Sequence, residues 1–234
     1  EQAYKKALEL SPHDAETHYN LGNTFRELGR LEEASLSFNK AIILNGEFAD
    51  AHNNLGNTLK DLGRLEDAEL CYLRVVELTP DNAECHYNLG LVRQQLNKLN
   101  QAVASYRKAI SVKPNYAEAF NNLGLVYKEL GKLDDAEASY SQAISLRPHF
   151  QRALMNRWRL YFDKGEYTAA LTDADACINE GPRERDLRTL YALERNDEIE
   201  KRINSLAEKS SDNVSVAAFA AFYSYVENKG TLYN

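Results

Sequence analysis

The chain has 234 residues, 44% hydrophobic and 27% charged, a balance that suits a soluble globular protein with ample material for a core. A formal charge of −7, with lysines and arginines interspersed among acids, argues against nucleic acid as the main partner, because phosphate binding needs a concentrated basic face. Cys71, Cys85 and Cys177 are too far apart for a CxxC pair and odd in number, which supports neither a disulfide framework nor a zinc site and favours a reducing, cytoplasmic setting.

In chain order, Glu1 to Leu10 is predicted as the second helix of a repeat whose first helix is missing. Tyr4, Ala7 and Leu8 form its apolar stripe, and Ser11-Pro12 ends it. The start at Glu1, inside a helical pattern, is expected of a piece of a longer protein. Four repeats of 34 residues follow, at 15–48, 49–82, 83–116 and 117–150, then a degenerate fifth at 151–184. Each carries a close copy of one stretch: His18-Tyr19-Asn20-Leu21-Gly22-Asn23, His52-Asn53-Asn54-Leu55-Gly56-Asn57, His86-Tyr87-Asn88-Leu89-Gly90 and Phe120-Asn121-Asn122-Leu123-Gly124. Helix, turn, helix is predicted in every repeat. Gly29, Gly63, Asn97 and Gly131 mark the turn, and Pro80, Pro114, Pro148 and Pro182 close second helices at one phase. Repeating units share their core with neighbours, so the array is expected to be one domain.

The fifth repeat departs from the pattern, with Arg157-Trp158 in place of leucine-glycine and Ala174 in place of an aromatic residue. A changed helix spacing or angle is expected there. From 185 to 234 the period fails and shortened capping helices are expected. The last, over Val214 to Val226, is apolar on most of its surface yet shorter than the roughly 20 residues of a membrane span. It should dock on the preceding helices; an exposed face would make it a contact between copies, and thus a route to a homo-oligomer.

The recurring residues resemble the tetratricopeptide repeat (TPR) family. Leu21-Gly22, Leu55-Gly56, Leu89-Gly90 and Leu123-Gly124 match its first-helix signature. Ala34, Ala68, Ala102 and Ala136, then Phe38, Tyr72, Tyr106 and Tyr140, then Ala41, Ala109 and Ala143 match the second. The resemblance covers residues 1 to about 182 and implies an all-α fold: a right-handed α-solenoid with a C-terminal capping segment. It also implies that first helices line a concave groove, into which the residue before leucine-glycine points.

That residue is Asn20, Asn54, Asn88, Asn122 and Asn156, a ladder similar to the one in the TPR region of O-linked N-acetylglucosamine transferases, where asparagines hold the backbone of protein substrates. A carboxamide offers an acceptor and two donors, which complement a peptide unit. Helices packed about 8–10 Å apart would meet an extended chain, rising roughly 3.3 Å per residue, at about every third residue. The competing account is that the ladder bonds only to its own neighbours. Further groove candidates are Tyr19, Asn53, Tyr87 and Asn121 one residue before the ladder, Asn23 and Asn57 three after, and Arg26, Lys60, Gln94 and Lys128 six after. TPR proteins that clamp a C-terminal carboxylate need a lysine one position before the ladder, which this chain lacks.

His18, His52 and His86 share a phase, but equivalent residues on neighbouring helices are too far apart to share a metal; packing is expected instead. Acidic pairs such as Glu32-Glu33 open second helices, where they complement the helix dipole. There is no phosphate loop, nucleophile elbow, metal motif or dinucleotide turn, so neither cofactor nor catalysis by this chain is expected. The leading expectation is a scaffold that binds an extended segment of another protein. The alternatives are the substrate-recruiting part of a larger modifying enzyme, glycosyltransferase-like or 2-oxoglutarate oxygenase-like, and a self-assembling scaffold.

Overall fold

The computed structural model describes residues 1–177, together with 189, 190, 193, 198 and 199. The end of the fifth repeat and the expected capping helices otherwise lie outside the described residues. Eleven helices run through residues 1–177: α1 Gln2–Leu10, α2 Ala15–Glu27, α3 Leu31–Leu44, α4 Ala49–Asp61, α5 Leu65–Leu78, α6 Ala83–Gln95, α7 Leu99–Val112, α8 Ala117–Glu129, α9 Leu133–Leu146, α10 Gln151–Lys164 and α11 Tyr167–Ala176. The described residues are thus those of an all-α solenoid of helix-turn-helix repeats. They fall into two compact units, Glu1–Lys132 and the residues from Leu133 onward.

Within a repeat, the turn forms where the sequence supplies a residue able to adopt φ > 0. Gly63 has φ 75° and Asn97, the one non-glycine at this place, has φ 57°. The amide after the left-handed residue reaches back to close the helix end: Arg64 N donates to Leu59 O at 2.8 Å and Lys98 N to Arg93 O at 2.8 Å.

The two helices of a repeat close on a glycine and an aromatic ring. Phe38, Tyr72, Tyr106 and Tyr140 are fully buried. An added Cβ on Gly22, Gly56 or Gly90 would lie 2.7, 2.9 or 2.6 Å from the ring of Phe38, Tyr72 or Tyr106. The ring therefore sits on bare backbone, and burying each such side chain stabilises the pair by roughly 1.5–3 kcal/mol. Ala34, Ala68, Ala102 and Ala136, also fully buried, extend the close approach along the second helix.

In the second unit the large and small partners of the fifth repeat are exchanged. Trp158 stands at the glycine position and is half-buried, whereas Ala174 at the aromatic position is fully buried. The swap keeps one bulky and one small residue at the two positions. Trp158 Nε1 donates to Thr189 Oγ1 at 2.9 Å, and Arg157, at the leucine position, makes two bonds to the buried Asp173 at 2.8 and 2.6 Å.

Candidate functional site

The first helices α2, α4, α6 and α8 carry the ladder in the first unit. Leucine and glycine at adjacent positions turn towards the second helix of the same repeat, so the asparagine before them, about 100° round the helix, turns towards a neighbouring first helix. The bonds follow that direction. Asn54 of α4 donates both amide hydrogens back to α2, to Asn23 Oδ1 at 2.8 Å and Tyr19 Oη at 3.1 Å. Asn122 of α8 donates to Tyr87 Oη of α6 at 3.0 Å and accepts from Asn121 Nδ2 at 3.0 Å.

The tyrosine rung recurs every second repeat, and so does the aromatic packing that supports it. Tyr19 packs between Phe38, 5.9 Å between ring centroids, and Phe48, the last residue of the same repeat and the one before α4, at 4.9 Å. Tyr87 repeats the arrangement with Tyr106 at 5.8 Å and Tyr116 at 4.9 Å. Burial and the neighbouring Tyr87 push the Tyr116 phenol up to about 12. A second rung lies two turns along the same helices, where Arg26 faces Asp61 at 3.9 Å and Gln94 donates to Glu129 at 3.0 Å. Repeats one and two are thus laced along their first helices, and so are repeats three and four.

The join between repeats two and three is built differently. Asn53 stands where a tyrosine would be, and its short side chain makes no hydrogen bond to any described residue; neither does that of Asn88, the ladder residue in the register of Asn54 and Asn122. Asn88 is nonetheless only 8% exposed. Lys60 has no ion-pair partner among the described residues. On the second-helix side this join is held by charge: Glu69 of α5 accepts from Arg93 of α6 at 2.9 Å and from Lys98 at 2.5 Å. Burial acts to raise the Glu69 carboxyl, but the two cations outweigh it and hold it below the ordinary range.

The remaining candidates divide in the same way. Asn57 accepts the Tyr72 hydroxyl at 2.6 Å, so its carboxamide supports its own repeat, and burial raises that phenol well above its ordinary value. Asn121 is 3% exposed and serves Asn122 instead of facing outwards. Asn20 makes no side-chain hydrogen bond and is half-buried; Lys128 and, in the second unit, Asn156 are also half-buried. Two residues escaped the sequence reading: Leu91 and Leu125, half-buried, continue the phase of Asn23 and Asn57 into repeats three and four. The register alone points to them, but their apolar character reads as core.

The in-phase histidines have a structural use. The ring Nε2 of His18, His52 and His86 lies 3.1, 3.1 and 2.9 Å from the carbonyls of Pro12, Gly46 and Pro80, which ties each first helix to the turn before it. Burial lowers the His52 ring below its ordinary value. Cys85 and Cys177 are buried, and burial pushes the Cys71 and Cys85 thiols up to about 11 and about 12, so neither is a ready thiolate. Among the described residues no group of three or more His, Cys, Asp or Glu could hold a metal ion, and no helix is long and apolar enough to cross a membrane.

Comparison with known proteins returns a consistent family. Profiles described as TPR repeat match residues 22–63, 56–97 and 92–131, and profiles described as tetratricopeptide repeat match 3–34 and 117–150. No curated protein matches the chain. Among solved structures it is similar to MamA, at 26% identity and a TM-score of 0.64 over 76% of this chain and 96% of that one. YrrB, described as a TPR protein with an unusual peptide-binding site, aligns at 24% identity and a TM-score of 0.66 over 83% and 98% of the two chains. PilF of Pseudomonas aeruginosa aligns at 20% identity and 0.68 over 88% and 96%. With matching profiles covering most of the sequence and helix pairs at the same period, the chain belongs to the tetratricopeptide-repeat family.

Proposed function

We propose that this chain is a protein-interaction scaffold that holds an extended segment of another protein against its first helices. The observation that carries the reading is the recurrence of one asparagine per repeat on the side where first helices meet. Its carboxamide matches the donors and acceptors of a peptide main chain, and the spacing of packed helices suits an extended strand. The ladder's resemblance to that of O-linked N-acetylglucosamine transferases supports it, and so does a fold shared with YrrB, described as having a peptide-binding site.

The test is retention of synthetic peptides on an array. Wild-type chain is expected to retain a subset of extended peptides, and Asn54→Ala/Asn88→Ala/Asn122→Ala together to lose them while keeping its helicity by circular dichroism. Equal retention by the two proteins would move the binding surface elsewhere.

A further inference from the structure

The ladder is uniform in sequence but not in chemistry. Asn54 has spent both donors on α2, and Asn122 uses a donor and its acceptor on Tyr87 and Asn121. Asn88, between them, is more than nine-tenths buried and makes no side-chain hydrogen bond. Its amide atoms are not among the sealed, unsatisfied polar atoms of the described residues, so they meet solvent with their hydrogen-bonding capacity unused. No described protein group takes that capacity up, although the flanking rungs show that a tyrosine at position 53 could. Asn53 itself is unbonded and half-buried, as is Lys60 two turns further along α4. On the α6 side the corresponding wall carries Leu91, half-buried, where repeats one and two carry Asn23 and Asn57.

Building on the groove reading, we infer that the join between repeats two and three is the gripping point for the bound segment, with Asn88 and Asn53 taking its main chain. Repeats one–two and three–four act as prebuilt clamps on either side. Lys60 and Leu91 set the side-chain preference: an acidic residue over α4 and an aliphatic residue over α6. With helices about 10 Å apart and a strand rising about 3.3 Å per residue, the two lie about three positions apart. The partner is therefore an extended peptide of acidic-x-x-aliphatic character, read in either direction.

The array above supplies the probes. Its retained peptides are expected to be enriched in Asp or Glu about three positions from Leu, Ile or Val. The best of them, synthesised singly, is titrated against the full chain and five single variants. Asn88→Ala is expected to weaken it about tenfold, the scale of one well-made hydrogen bond to a desolvated carboxamide, with an unchanged melting temperature because no side-chain bond is lost. Asn54→Ala and Asn122→Ala, which each lose bonds to the protein itself, are expected to lower the melting temperature and to weaken the peptide less than Asn88→Ala does. Lys60→Glu should turn the acidic preference into a basic one, and Asn53→Ala gives a second reading of the same rung should Asn88→Ala fold poorly.

If Asn54→Ala or Asn122→Ala weakens binding as much as Asn88→Ala, or if Asn88→Ala costs stability and not affinity, the gripping point is not at this join. If peptides are retained equally by the three single ladder variants, Asn54→Ala, Asn88→Ala and Asn122→Ala, and by the triple variant, the groove reading itself falls.

Discussion

At the residue scale the array rests on the meeting of bare backbone and ring. Tyr106 is fully buried, its hydroxyl donates to Gln94 Oε1 at 3.1 Å, and a Cβ on Gly90 would stand 2.6 Å from its ring. A rigid ring fixed at both ends cannot swing aside, so Gly90→Ala is expected to destabilise by about 1–3 kcal/mol, the ordinary cost of overpacking. Gly46, whose added Cβ would meet nothing nearer than 3.9 Å, is the control: Gly46→Ala should move the urea midpoint little. The leucine-glycine signature and its aromatic partner could be read directly from the sequence because a 34-residue period isolates them. The direction in which each asparagine spends its hydrogens could not. It depends on Tyr19 and Tyr87 reaching across to the next repeat, and residue identity alone does not tell a rung that is closed from one that is open.

At the element scale, the fifth repeat shows how a helix pair accommodates charge inside a family pattern that is neutral. Asp173 is 1% exposed and accepts from Nε and Nη2 of Arg157, whose remaining nitrogen, Nη1, donates to Ser141 Oγ at 2.8 Å. Removing one partner leaves a desolvated charge, so Asp173→Ala is expected to cost about 3–5 kcal/mol. Arg157→Leu/Asp173→Ser, which restores the leucine and serine found at these positions in other repeats, should recover most of that loss in a chemical-denaturation series. The sequence reading identified the departures at 157, 158 and 174 and expected a changed helix spacing or angle from the tryptophan, without setting the first-helix and second-helix departures side by side. Only when Ala174 is set beside it does the exchange of large for small become visible.

The helix join at Glu69 makes a pH prediction. A carboxylate held below its ordinary range stabilises the fold above the unfolded pKa, about 4.3, and loses that contribution as pH falls through the folded value. Wild type is therefore expected to exceed Glu69→Gln in stability at neutral pH, and the gap between their urea midpoints to close below about pH 4. A gap unchanged down to pH 2.5 would show that Arg93 and Lys98 contribute little through charge.

At the scale of the whole molecule, each described unit is a run of helix pairs at one period, and that much follows from the sequence because stacking demands the same residues at the same phase in every repeat. Glycine turns, buried alanines and in-phase histidines all came out in this way. What the phase conceals is a second rhythm, two repeats long, which appears only when side chains are followed from one repeat to the next. Tyr19, Phe48 and Asn54 belong to one beat, and Tyr87, Tyr116 and Asn122 to the other.

This rhythm gives the array a parity. Excising any two consecutive repeats of 15–150 would leave a tyrosine opposite an asparagine at the surviving join. Excising only 49–82 would bring Tyr19 opposite Asn88, within the same register that now closes Asn54, and would seal the open rung while the period, the helices and the core stayed intact. A chain of this kind can therefore lengthen or shorten by pairs without changing how its joins are laced, but a single repeat gained or lost would change which of its asparagines are bonded to a neighbouring repeat.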